Sequence, residues 1–188
     1  MTLLNKLMKP YKSILLLFII IVLHQSCERD DICTDDTTPR LLIEFFDITE
    51  QDVLKNVPRL SVYDVNADPN DVNTNFIVNN SNVNAIALPL RFENEGELTT
   101  TEYILELDSN LRLDDDPNTT SNMDTIRITY TPEFQFVSRA CGFKSVFNNI
   151  SIEVLTDDDN WILLTNFSNN LTELNVEDET TTHINIFH

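Results

Sequence analysis

The sequence predicts an all-β protein: an antiparallel two-layer β-sandwich, immunoglobulin-like or transthyretin-like, with a small barrel as the alternative. Three observations predict it. Apolar residues recur with a period of two in short runs, no run carries an amphipathic helix of three turns, and asparagines stand where the turns fall.

The elements follow in chain order. Leu41–Asp47 and Leu60–Val65 are the first strand candidates. Ile86, Leu88, Leu90 and Phe92 then alternate with Ala87, Pro89 and Arg91. Tyr103, Leu105 and Leu107 alternate with Ile104 and Glu106, and Ile126, Ile128 and Tyr130 with Arg127 and Thr129. Phe134–Ala140 follows, then Ile150, Ile152 and Val154 alternating with Ser151 and Glu153, then Trp161–Thr165 and Ile184–Phe187. One apolar and one wetter face per strand is the pattern of antiparallel sheets. The chain has two glycines, Gly96 and Gly142, and 22 asparagines. Asparagine is the non-glycine residue that best tolerates a positive φ, so Asn79-Asn80, Asn148-Asn149 and Asn169-Asn170 are expected in turns. Polar stretches 66–75, 109–123 and 156–160 are expected as longer loops.

Before the first strand the composition changes. Lys6, Lys9 and Lys12 precede an uninterrupted apolar run, Ile14–Leu23, and no acidic residue occurs before Glu28. Ten apolar residues are too few to span a bilayer, which takes about 20, and fit the core of a secretory signal peptide. His24-Gln25-Ser26-Cys27 follows, with a small residue directly before the cysteine. Residues 1–26 therefore read as a lipoprotein signal peptide and Cys27 as the acylated first residue of the mature chain. The pattern departs from the strict lipobox at His24, where leucine or valine is usual. Residues 27–38 read as a polar, lipidated tether and 39–188 as one β-sandwich domain.

Removing three lysines and no acids takes the net charge from −19 to −22, with 9 Lys+Arg against 31 Asp+Glu. Nine basic residues spread singly give no footprint for nucleic acid. With Cys27 acylated, Cys33 and Cys141 can pair only with each other, and export to an oxidising compartment predicts that bridge. The alternative is two buried thiols packed as small hydrophobes.

The residues offer little chemistry. The only histidines after the leader, His183 and His188, are expected to flank an edge strand on its solvent side, and no nucleophile elbow accompanies them. Two cysteines and two distant histidines do not make a zinc site, and no cofactor is implied. Asp114, Asp115 and Asp116, and Asp157, Asp158 and Asp159, are acidic loop clusters that could gather round Ca²⁺, without the spacing of an EF-hand. Trp161 beside the second cluster could stack on a sugar; a lone tryptophan in a strand is more often core.

Seven segments carry a resemblance: Cys27–Cys33 (CERDDIC), Thr38–Asp47 (TPRLLIEFFD), Val57–Val62 (VPRLSV), Ile86–Arg91 (IALPLR), Phe136–Phe143 (FVSRACGF), Asp159–Ile162 (DNWI) and His183–His188 (HINIFH). By these the chain resembles a family of uncharacterised outer-membrane lipoproteins of Bacteroidota type, a domain of unknown function. The resemblance implies an outer-membrane lipoprotein, often placed beside an outer-membrane β-barrel, and implies no activity. A weaker likeness, to anchor subunits of bacterial fimbriae, rests on the lipid cysteine and on strands ending in Phe46-Asp47 and Val62-Tyr63-Asp64.

The leading expectation is a non-enzymatic cell-envelope lipoprotein with a structural or accessory role through protein contacts at the outer membrane, on its periplasmic or cell-surface face. A glycan- or ion-binding surface lipoprotein would need Trp161 and the acidic loops exposed on one edge. A hydrolase would need His183 or His188 in a pocket facing an acid and a hydroxyl.

Overall fold

The computed structural model describes residues 32–33, 37–71, 73–113, 120–168 and 173–188, so the leader, Cys27 and Asp114–Asp116 lie outside the described residues. The described residues form nine strands: β1 Leu41–Phe46, β2 Val57–Asp64, β3 Val78–Val83, β4 Ala85–Leu88, β5 Thr99–Leu107, β6 Asn122–Ser138, β7 Gly142–Val154, β8 Leu164–Phe167 and β9 Ile184–Phe187. A short 3-10 helix, Ser109–Leu113, joins β5 towards β6. The strands make two sheets, ordered β4-β1-β9-β8 and β3-β2-β5-β6-β7.

Alternation drives the layers together. Leu41, Ile43 and Phe45 of β1, Ile86 and Leu88 of β4, and Ile184 and Ile186 of β9 line the inner face of the four-stranded sheet. Leu60, Val62, Tyr103, Leu105, Ile126, Ile128, Tyr130 and Phe147 line the inner face of the five-stranded sheet, and all are buried in one shared core. The fold is a β-sandwich, as the period of two predicts. The pairing is antiparallel with one exception: β1 and β9 are parallel, Ile43 opposite Ile184 and Phe45 opposite Ile186. A parallel pair needs a long crossover, and here nearly the whole domain lies between the two strands.

Several elements depart from the expected boundaries. β3 (VNNSNV) takes in Asn79-Asn80, expected as a turn. Asn80 has φ 44° and its N–H donates to Ser61 Oγ at 3.0 Å. Asn148-Asn149 likewise lies inside β7, where Thr129 faces Ser151 but Thr131 faces Asn148. One extra residue on β7 makes a bulge, with Asn149 at φ 55°. The bulge shifts the phase of β7, which is why Phe147 and Ile150 both point into the core. Asparagine supplies positive φ as expected, in bulges rather than in turns. Asn169-Asn170 lies outside the described residues.

The strand expected through Phe92 stops at Leu88, before Pro89, and the one expected from Trp161 begins at Leu164. The runs expected on either side of Pro132 are one strand, β6. Phe147 N–H donates to Val176 O and Phe147 O accepts from Val176 N–H, so Pro132, opposite Phe147, faces it without ladder bonds. The proline nitrogen points to the side that β5 has already left, since β5 pairs no further than Thr99 with Tyr130. No hydrogen bond is lost there.

The outer face of the five-stranded sheet is closed at one end by the 3-10 helix and the loop after β2. Tyr63 packs edge-on against Phe76 with ring centroids 5.4 Å apart. Glu106, 0% exposed, accepts from Arg112 Nε at 3.0 and 3.2 Å and from Ser121 Oγ at 2.6 Å. Arg112 Nη1 also donates to Pro69 O and Asn70 Oδ1, both at 2.9 Å. Burial, and next the Glu106 charge, push the Tyr63 hydroxyl up to about 12.

Candidate functional site

The end of the sandwich that carries Cys33 and residues 37–40 holds a hairpin, a disulfide and a cleft. β6 and β7 are paired as far as Ser138 opposite Gly142, whose φ of 72° closes the reversal. Cys141 N–H donates to Ser138 Oγ at 3.1 Å, which orders the tip. A disulfide joins Cys141 to Cys33, with their Cα atoms 4.8 Å apart. Further along, Ser145 N–H donates to Thr38 Oγ1 at 2.9 Å. Arg40 clamps Glu179 from its backbone N–H, Nε and Nη2 at 2.9, 3.0 and 2.7 Å. This hydrogen bonding and the charge pairing raise the Arg40 guanidinium pKa and hold the Glu179 carboxyl below its ordinary range. Thr37–Arg40 and Asp178–Thr180 line a cleft of about 580 Å³ between these attachments.

His183 sits beside that cleft, buried between β1 and β8 rather than on an edge. Its N–H donates to Leu42 O at 3.0 Å, and Leu42 N–H donates to His183 Nδ1 at 2.9 Å. A backbone amide can only donate, so Nδ1 is an acceptor and the ring is neutral. His188 N–H donates to Phe46 O, and its ring stands edge-on to Trp161 at 5.5 Å and to Phe45 at 6.2 Å. The expected placement of both histidines on a solvent-facing edge is therefore corrected: β9 is interior to its sheet, with β1 on one side and β8 on the other.

Trp161 is 8% exposed and its Nε1–H donates to Leu105 O at 3.1 Å, so the indole is core and offers no platform to a sugar. The condition on which the glycan reading rested, an exposed Trp161, is not met. Asp157–Asp159 form a turn after β7. Asp159 N–H donates to Asp157 Oδ1 at 3.0 Å and Asp157 N–H to Asn160 Oδ1 at 3.1 Å. The three side chains are exposed, and among the described residues no group of three or more His, Cys, Asp or Glu converges to hold a metal.

Besides Glu106, a second buried acid escaped the sequence reading. Asp124, 0% exposed, accepts from Trp161 N–H at 3.3 Å and Ile162 N–H at 2.8 Å and so fixes the approach to β8. Burial raises its pKa, against the lowering effect of those two bonds. The signal was present: Asp124 occupies the core phase of the alternation that continues through Ile126, Ile128 and Tyr130.

Burial lowers the pKa of His183 and of His188. The unfolded chain takes up these protons near pH 6.5, as an unperturbed imidazole does, and the folded chain only at lower pH. Their contribution to stability is thus fully present above about pH 6.5 and is lost as pH falls through the folded values, by up to about 1.4 kcal/mol per pH unit for each ring. Urea midpoints from pH 7.5 to 5 are expected to fall accordingly. His183→Asn keeps an acceptor for Leu42 N–H and is expected to flatten the slope; an unchanged slope assigns the effect elsewhere. Asp124, with a raised pKa, acts in the opposite sense, gaining stability as pH falls, and is the same in both proteins.

The fold and this end define a β-sandwich domain whose N-terminal segment is fastened covalently to the tip of its longest hairpin. The chain belongs to a family of unknown function, DUF6452, whose model matches residues 59–188, from β2 through β9, with Cys141 inside the match and Cys33 before it. No curated protein and no solved structure matches the chain.

Proposed function

We propose that this protein is a non-enzymatic cell-envelope lipoprotein, exported by residues 1–26, held at the outer membrane by acyl chains on Cys27, and acting through protein contacts there, with an outer-membrane β-barrel as the partner class. The observation that carries the reading is the Cys33–Cys141 disulfide, six residues beyond Cys27. Such bonds persist in oxidising compartments, which fits export, and this one ties the domain close to its anchor. The lysine-rich, apolar leader ending at Ser26-Cys27 supports the same route. The commitment of His183 Nδ1 to a backbone amide leaves that nitrogen unavailable as a base, which supports a role without catalysis.

Metabolic labelling with an alkyne fatty acid tests the anchor. The wild-type chain is expected to label and to fractionate with the outer membrane, and Cys27→Ala to lose the label and appear as a soluble or uncleaved form. Label retained by Cys27→Ala places the processing site elsewhere. Stable attachment takes more than one acyl chain, because a single one holds only marginally. Crosslinking in intact cells, read by identification of the partner, tests the protein-contact half of the reading.

A further inference from the structure

The hairpin tip beside the disulfide has a composition and placement unlike the rest of the domain. Beyond Tyr130, β6 has lost β5 as a neighbour, and the β6–β7 ribbon continues to Ser138. Besides the disulfide, the ribbon is attached to the described part of the body by Phe134 N–H to Glu95 Oε1, Ser145 N–H to Thr38 Oγ1 and Lys144 Nζ to Glu177 O. From Phe134 to Ser138 the ribbon therefore overhangs by about 13 Å, at about 3.3 Å per residue.

The overhang is apolar on one face. Alternation puts Phe134 and Phe136 on the side that carries Ile126, Ile128 and Tyr130, and Phe143 on the side that carries Phe147. The inner face of the sheet thus runs on past the sheet that should cover it. Phe136 and Phe143 are directly opposed, with ring centroids 5.5 Å apart, and remain 61% and 69% exposed. Ile32, next to Cys33, is 83% exposed.

The charge changes sign as well. Residues 134–152 contain no Asp or Glu, in a chain with 31 of them. Six of the eight described basic residues (Arg40, Lys55, Arg59, Arg91, Arg112 and Arg127) are in salt bridges with carboxylates. The remaining two are both on this ribbon: Lys144, whose Nζ donates to Glu177 O, and Arg139 at the tip. Six residues of chain reach at most about 20 Å, so the disulfide keeps the tip within that distance of residue 27.

We propose that the β6–β7 tip is a membrane contact: Phe136 and Phe143 enter the headgroup–acyl boundary of the bilayer, and Arg139 lies on an anionic phospholipid headgroup. The inference rests on the acylation of Cys27 proposed above. Aromatic side chains flanked by cations are the chemistry of that interface. The lipid then holds the chain at one point and the tip at a second, which fixes the tilt of the sandwich.

The test uses the mature, acylated full-length protein in vesicles of phosphatidylcholine and phosphatidylglycerol carrying brominated acyl chains. Phe143→Trp is compared with Val53→Trp, exposed beyond the opposite end of β1, after subtraction of the buried Trp161 signal. Lipid quenching of Phe143→Trp but not of Val53→Trp is expected. A cation at the surface contributes about fivefold to partitioning, so adding Arg139→Glu is expected to weaken the quenching of Phe143→Trp by at least about that factor. Acylated protein that floats with vesicles while Phe143→Trp stays unquenched overturns the tip contact and leaves the anchor standing. Protection of Phe143→Trp by a second copy or by an outer-membrane barrel, without lipid quenching, also overturns it. Absence of fatty-acid label on the wild-type chain removes the anchor, and the proposal with it.

Discussion

Reduction of the Cys33–Cys141 bond lowers the stability of the domain by about 4–5 kcal/mol in the chain-entropy account of disulfides. The magnitude follows from a sequence separation of 108 residues, a long loop for the unfolded chain to be relieved of. The folded state changes little, because Thr38–Ser145 and the Arg40–Glu179 clamp still hold the same end. For a domain of this size the loss corresponds to a fall of about 10–20 °C in Tm. Calorimetry with and without reductant, and of Cys33→Ser/Cys141→Ser, reads it. Denatured, non-reduced protein is expected to offer neither thiol to alkylation. Two labelled thiols before reduction mean that the bond is absent, and a negligible shift in Tm means that the unfolded chain is already compact.

Arg112→Ala is expected to cost about 3–5 kcal/mol, because it strands a carboxylate that has no access to water. Glu106 keeps Ser121 Oγ but loses its counter-charge, and Pro69 O and Asn70 Oδ1 lose their donor. Replacing both partners with apolar residues, Glu106→Leu/Arg112→Met, is expected to cost far less, since the desolvation penalty disappears together with the pair. Urea denaturation of the single and double variants measures the difference. Equal losses in the two would show that the surrounding carbonyls, not the charge of Glu106, set the energy. Exposed pairs such as Arg40–Glu179 and Arg59–Asp108 are each expected to matter by less than about 1 kcal/mol.

The two layers were legible because burial on one face writes itself into a period of two. β1, β5, β6 and β9 carry that alternation openly, and β9 has the expected bounds. β3 was not legible, since VNNSNV has no apolar alternation and forms as an edge strand because β2 offers it a ladder. The runs on either side of Pro132 read as two strands because the local sequence cannot tell on which side of β6 a neighbour is missing. The disulfide was legible by elimination among three cysteines. The open aromatic tip was not, because Phe134 and Phe136 read like any core pair until the facing sheet is seen to end short of them. Glu106 shows the converse: it lies in the outer, polar phase of β5 and is buried only because a separate segment folds over it.

The parallel seam between β1 and β9 also sets an order of assembly. The five-stranded sheet closes from β2 to β7 through neighbours in sequence or nearly so, and none of its strand pairs involves a residue beyond 154. The four-stranded sheet cannot: β1 waits for residues 184–187, and β8 has no strand partner before them. A polypeptide that emerges N-terminus first therefore carries β1, with one side unsatisfied, until nearly all of the rest has arrived. Contacts of such long sequence separation are slow to form. Throughout that interval the apolar edge of Leu41–Phe46 stands open to any neighbouring chain, so association between half-made copies competes with folding until the late partner arrives.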